Sequence, residues 1–87
     1  MKKPNQPMLS ARELFGRNLR RTRRLKEVTQ EELALRADLS RTYVSEVERG
    51  ARNISIDNMS RLAEALDVPL RDLVDPALFD VLNNLPD

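Results

Sequence analysis

Between Gln30 and Arg49 two short segments with helical spacing of apolar residues are separated by only three residues, Asp38-Leu39-Ser40. Leu33, Ala34 and Ala37 fall on one face of the first segment, and Val44 and Val47 on one face of the second. Helices this short and this close in sequence must cross steeply over one small core. Ala34 stands at the expected point of contact, where a side chain much larger than a methyl would force the two apart. The outward face of the second segment carries Arg41, Thr42, Tyr43, Ser45, Glu46 and Arg49, all polar or amphipathic. Such a pair is a helix-turn-helix, and its second helix has the form and the donors to enter the major groove of duplex DNA.

The rest of the chain reads as helices built around that pair. Ser10-Ala11-Arg12-Glu13 is a capping box, and a helix follows to about Lys26 with Leu14, Phe15, Leu19 and Thr22 inward. Thr29-Gln30-Glu31-Glu32 is a second box, opening a helix over about Gln30–Ala37. Ser40 caps a third over about Arg41–Arg49, and Gly50 stops it. Ser55 caps a fourth, with Ile56, Met59, Leu62, Ala63 and Leu66 on its apolar stripe. Pro69 starts a fifth, Pro69–Val74. Residues 77–84 add at most a turn or two. No strand pattern is present. The expected fold is all-α with five helices and at most a short sixth at the C-terminal end. Residues 1–9 form a tail, 10–75 the DNA-binding domain and 76–87 an extension.

The charge is divided along the chain. Residues 1–53 hold 13 Lys and Arg against 7 acids, a net +6; residues 54–87 hold 2 Arg against 7 acids, a net −5. One surface therefore suits a polyanion and another faces away from it. The chain has no cysteine and no histidine. Disulfides, thiolate or imidazole zinc sites, and Ser-His or Cys-His nucleophiles are all excluded. Asp67, Asp72, Asp75 and Asp80 match no calcium loop. No phosphate-cradling glycine loop is present. An enzyme, a metal site and a cofactor are therefore not expected. No apolar run approaches the roughly 20 residues of a membrane span, and the start is no signal peptide, which points to the cytoplasm.

The stretch TQEELALRADLSRTYVSEVERGARNISIDNMSRLAEALDVPLRDL resembles the DNA-binding domain of the lambda-repressor-like (Cro/C1, XRE) family, over about Leu14–Val74. Within the family, RTYVSEVERGARN is most similar to restriction–modification controller proteins. The resemblance implies that Arg41, Thr42, Tyr43 and Ser45 read bases. It implies phosphate contacts from Gln30, Arg49, Arg52, Asn53 and Ser55, with Arg17 and Arg20 as further ones. Arg23 and Glu48 would form a structural ion pair. Where the family favours glycine this chain has Asp38, and where glycine or asparagine is common it has Glu27.

The C-terminal apolar residues Leu70, Leu73, Leu78, Phe79 and Leu82 are expected to form a homodimer interface. The implied function is a homodimeric transcription regulator on an inverted-repeat operator, with double-stranded DNA and RNA polymerase as partners and no membrane. A second class fits the same scaffold: an antitoxin-like or adaptor module that binds a protein.

Overall fold

The computed structural model describes residues 9–79, and within them five helices and no strand. These are α1 (Ala11–Leu25), α2 (Gln30–Ala37), α3 (Arg41–Glu48), α4 (Ile56–Ala65) and α5 (Leu70–Leu73). Helix α3 packs on α2 and α1, α4 on α2, and α5 closes the bundle against α1 and α4. The core between them is Phe15, Leu19, Leu33, Val44, Val47, Leu62, Leu66 and Leu73, each at most 2% exposed. Ala34 and Ala37 are buried on the inner face of α2. Residues 76–79 turn without forming a helix, and Val81, Leu82, Leu85 and all but Leu9 of the 1–9 tail lie outside the described residues.

Each helix starts where its cap stands. Ser10 Oγ accepts from the Glu13 N–H at 3.1 Å while the Ser10 N–H donates to Glu13 Oε1 at 2.9 Å. Thr29 and Glu32 repeat the exchange at 3.0 and 3.2 Å. The bond from the cap residue's N–H, seconded by its hydroxyl, holds both carboxyls below the ordinary 4.5. A carboxyl lowered in the folded state stabilises that state above its unfolded pKa, and the benefit disappears as pH falls through the folded one. Acidification below pH 4.5 should therefore fray the starts of α1 and α2 first. NMR titration of the Ser10 and Thr29 amides would show it, and equal shifts in Glu13→Gln and Glu32→Gln variants would contradict it.

Four helices end alike, by a Schellman motif. Val28, Leu39, Ala51 and Val68 donate back to Arg23, Ala34, Glu46 and Ala63 at 2.9–3.1 Å. The left-handed residues that permit this are Glu27, Asp38, Gly50 and Asp67, with φ of 57, 59, 73 and 58°. Only one is glycine. The exit from α1 at Glu27 thus has the ordinary shape despite the residue, and Asp38 makes the helix-turn-helix turn. Packing of the next element outweighs the roughly 1–2 kcal/mol that a Cβ adds in this conformation.

Several details depart from the expectations. Pro69 precedes α5 as its N-cap with no side-chain cap bond, and α3 ends at Glu48 with Arg49 as its C-cap. Ile56, the first residue of α4, is 71% exposed because the helix turns its stripe inward only from Met59 and Leu62 onward. Leu14 is only half-buried, and the inner face of α1 is instead Phe15, Gly16, Asn18, Leu19, Thr22 and Arg23. Asn18 is wholly buried; its Nδ2 donates to the Leu73 and Asp75 carbonyls at 3.1 and 2.9 Å and ties α1 to the end of α5.

Candidate nucleic-acid interface

Helix α3 is supported from behind and open in front. Val44 and Val47 fix its back to α1 and α2, and Ser40 Oγ starts it by accepting from the Tyr43 N–H at 3.0 Å. On the front, Arg41, Thr42 and Arg49 are exposed, and Tyr43, Ser45 and Glu46 are half-buried. Arg49 Nη1 donates to Ser45 Oγ at 2.7 Å, which leaves the serine its own hydrogen for an acceptor on DNA.

A groove runs between this front and α1, where Arg20, Arg23, Arg24, Arg41 and Arg49 outnumber Glu31, Glu32 and Glu48, with Gln30 and Ser45 between them. Past Arg49 and Arg20 it extends to Arg17. The structure thus brings Arg17 and Arg20 of α1, together with Arg24, to the same side as α3, and guanidinium groups on both walls favour a phosphate backbone. Arg21 lines that extension too, while its guanidinium lies over the Phe79 ring at 5.5 Å.

Beneath the groove lies one charged cluster. Arg23 Nε and Nη2 donate to Glu48 Oε2 and Oε1 at 2.6 and 3.1 Å, and Arg23 Nη1 donates to the Val28 carbonyl at 2.8 Å. The Glu48 side chain is 2% exposed, so the pair belongs to the interior. Gln30 Nε2 also donates to Glu48 Oε1, at 3.0 Å, leaving its second N–H for a phosphate at the positive start of α2.

The link after α3 carries Arg52, Asn53 and Ser55, all exposed. Ser55 Oγ caps α4 by accepting from the Asn58 N–H at 3.1 Å, so its hydrogen is available to a phosphate. Arg52 Nε lies 3.5 Å from Glu46 Oε1, and its guanidinium 4.8 Å from the Tyr43 ring centre. Tyr43 Oη accepts from Asn58 Nδ2 at 3.1 Å. The sequence shows neither the part of Asn58 nor the Glu46–Arg52 pair, because it does not show that the start of α4 comes within reach of Tyr43.

At the other end of the molecule, Leu73 is wholly enclosed and Phe79 is 6% exposed, each within its own chain. Leu70 and Leu78 are half-buried and Val74 is 42% exposed; Leu82 lies outside the described residues. Among the described residues no group of His, Cys, Asp and Glu is placed to hold a metal, and no helix is long and apolar enough to cross a membrane.

The Helix-turn-helix family model HTH_3 matches residues 19–73, more than half of the chain. Control protein C.BamHI of Bacillus amyloliquefaciens is 48% identical over 63 residues, covering 71% of this chain and 78% of its own length. Among solved structures, the restriction-modification controller protein C.AhdI from Aeromonas hydrophila superposes with TM-score 0.70 at 47% identity, over 71% of this chain and 94% of that one. The hypothetical transcription factor NHTF from Neisseria superposes with TM-score 0.77 at 35% identity, over 93% and 99%. These relatives are regulators, not enzymes, and do not favour the protein-binding adaptor. The chain belongs to the helix-turn-helix family of XRE type and is a DNA-binding transcriptional regulator.

Proposed function

We propose that the chain acts in the cytoplasm as a homodimer on an inverted-repeat operator, as a restriction–modification controller protein. Residues 10–75 are the DNA-binding unit and 76–87 a C-terminal extension that contributes to the dimer interface. The observation that carries this reading is the run of hydrogen-bonding side chains on the front of α3, exposed Arg41 and Thr42 and half-buried Ser45, with Arg41 and Ser45 lining a groove that Arg20 and Arg24 also line. Arg41 would span the O6 and N7 acceptors of a guanine, Thr42 and Ser45 would meet neighbouring base edges, and Tyr43 a thymine methyl or a phosphate. Gln30, Arg49, Arg52, Asn53, Ser55, Arg17 and Arg20 would hold the sugar–phosphate backbone and fix register. A second copy would cover Leu70, Val74 and Leu78, placing the acidic half at the seam and setting two α3 helices one DNA turn apart. Occlusion of RNA polymerase, or contact with it, follows from where the operator lies.

The test is an anisotropy titration against a duplex recovered from a random pool. Binding should weaken with a logarithmic salt slope of about −0.9 per phosphate neutralised. Arg41→Ala should lose about 1–3 kcal/mol of discrimination at one base pair, whereas Arg20→Ala should weaken every sequence alike. An Arg41→Ala protein with sequence preference intact would remove Arg41 as a reader. A monomeric mass across the micromolar range in sedimentation would remove the dimer.

A further inference from the structure

Glu46 stands among the DNA-facing donors of α3, where a carboxylate opposes phosphate. Its partner is Arg52, 3.5 Å away in the link before α4, whose guanidinium also lies over the Tyr43 ring at 4.8 Å. Tyr43 is itself anchored, because its hydroxyl accepts from Asn58 Nδ2 on α4. The guanidinium is thus held from two sides by α3, and one of the two holders is braced from below. We infer that Glu46 is a specificity-determining residue: an internal competitor that keeps Arg52 off phosphates on arbitrary DNA and releases it only on the cognate duplex. The inference rests on the DNA-binding reading of α3 given above.

A carboxylate and a phosphate offer an arginine the same kind of acceptor. On an arbitrary duplex the exchange of one for the other gains little, so Arg52 stays folded back and the complex forms through the other arginines. Release also leaves a bare carboxylate at the groove floor. That is tolerable where a base edge presents an amino donor to Glu46, as cytosine N4 does, and where docked Arg41, Thr42 and Ser45 hold the backbone in reach of Arg52. The side chains of the pair are 49% and 33% exposed, so the restraint is weak enough to open.

Two measurements on wild type and Glu46→Gln test this. In the free protein, the Arg52 Nε–Hε resonance, assigned by its loss in Arg52→Ala, should carry the ring shift of Tyr43 and should move in Glu46→Gln. In complexes, it should keep its free position on a scrambled duplex and leave it on a duplex recovered by wild type from a random pool. By anisotropy, Glu46→Gln should bind the scrambled duplex about two- to fivefold tighter. Its salt slope there should be steeper by about 0.9, with no gain on the recovered duplex. An equal gain on both duplexes would mean plain charge repulsion and would overturn the inference, as would an Arg52 resonance indifferent to Glu46. If the pool yields no preferred duplex, the DNA-reading assignment fails instead, and the free-protein spectra still decide whether Glu46 holds Arg52.

Discussion

Glu48→Ala should lower stability by about 3–5 kcal/mol, the largest loss expected of any single polar substitution in the chain. The carboxylate accepts from Arg23 Nε, Arg23 Nη2 and Gln30 Nε2 while its side chain is 2% exposed. Truncation leaves the Arg23 guanidinium, 11% exposed at the side chain, with the Val28 carbonyl as its one remaining partner. An interior charge without its counter-charge is what makes the change severe, since the intact pair itself adds little. For a domain this small the loss corresponds to a fall of roughly 12–40 °C in Tm, enough to leave much of the protein unfolded near physiological temperature. Thermal melting by circular dichroism would read it. Replacing the pair together, Arg23→Met with Glu48→Leu, should recover most of the loss, because no orphaned charge then remains. A double variant as unstable as Glu48→Ala would show that packing, not charge, sets the effect. Loss of the Gln30 tether has a second consequence: in the Arg23→Met, Glu48→Leu protein, where residue 48 offers Gln30 Nε2 no acceptor, the start of α2 should bind DNA less tightly.

What could be read from the residues alone was what depends on near neighbours. The boxes at Ser10-Glu13 and Thr29-Glu32, the caps at Ser40 and Ser55 and the stop at Gly50 are all decided within four residues, and each is found where the pattern put it. Glu27 and Asp67 carry no such local signal for a left-handed backbone; the docking of Val28 and Val68 imposes it. Asn18 was invisible because its partners are carbonyls 55 and 57 residues further along. The arginines of α1 could not be sorted by spacing. Arg20 and Arg24 line the groove, Arg21 covers Phe79, and Arg23 enters the interior. Only the family resemblance singled out Arg23. The front of α3 is legible as a set of hydrogen-bonding side chains, but the grouping of Tyr43, Glu46, Arg52 and Asn58 needs the path of the link that brings the start of α4 within reach of Tyr43.

Gly16→Ala should destabilise the protein although alanine is the better helix former. In an exposed helix interior that substitution gains about 1 kcal/mol. Gly16 is instead buried in α1 against the end of α3, where an added Cβ would lie 2.3 Å from the Val47 carbonyl oxygen and 2.8 Å from that of Glu48. Those are backbone atoms, which no rotamer change can move aside. The end of α3 must retreat from α1, carrying with it Val47, the Glu48 partner of Arg23, and Arg49 of the groove. Overpacking of this kind costs about 1–3 kcal/mol in a core whose side chains can yield, and more where backbone must shift. A net loss on the order of 1–3 kcal/mol should remain after the helix-propensity gain, and Gly16→Val should not fold stably. The sign is the diagnostic. Ser60→Ala, on the exposed side of α4, should gain a few tenths of a kcal/mol from the same helix preference. Urea melts of the two alanine variants should therefore move in opposite directions. A Gly16→Ala protein more stable than wild type would mean that α1 and α3 stand further apart than this packing requires, and the rigid placement of α3 over its groove would lose its basis.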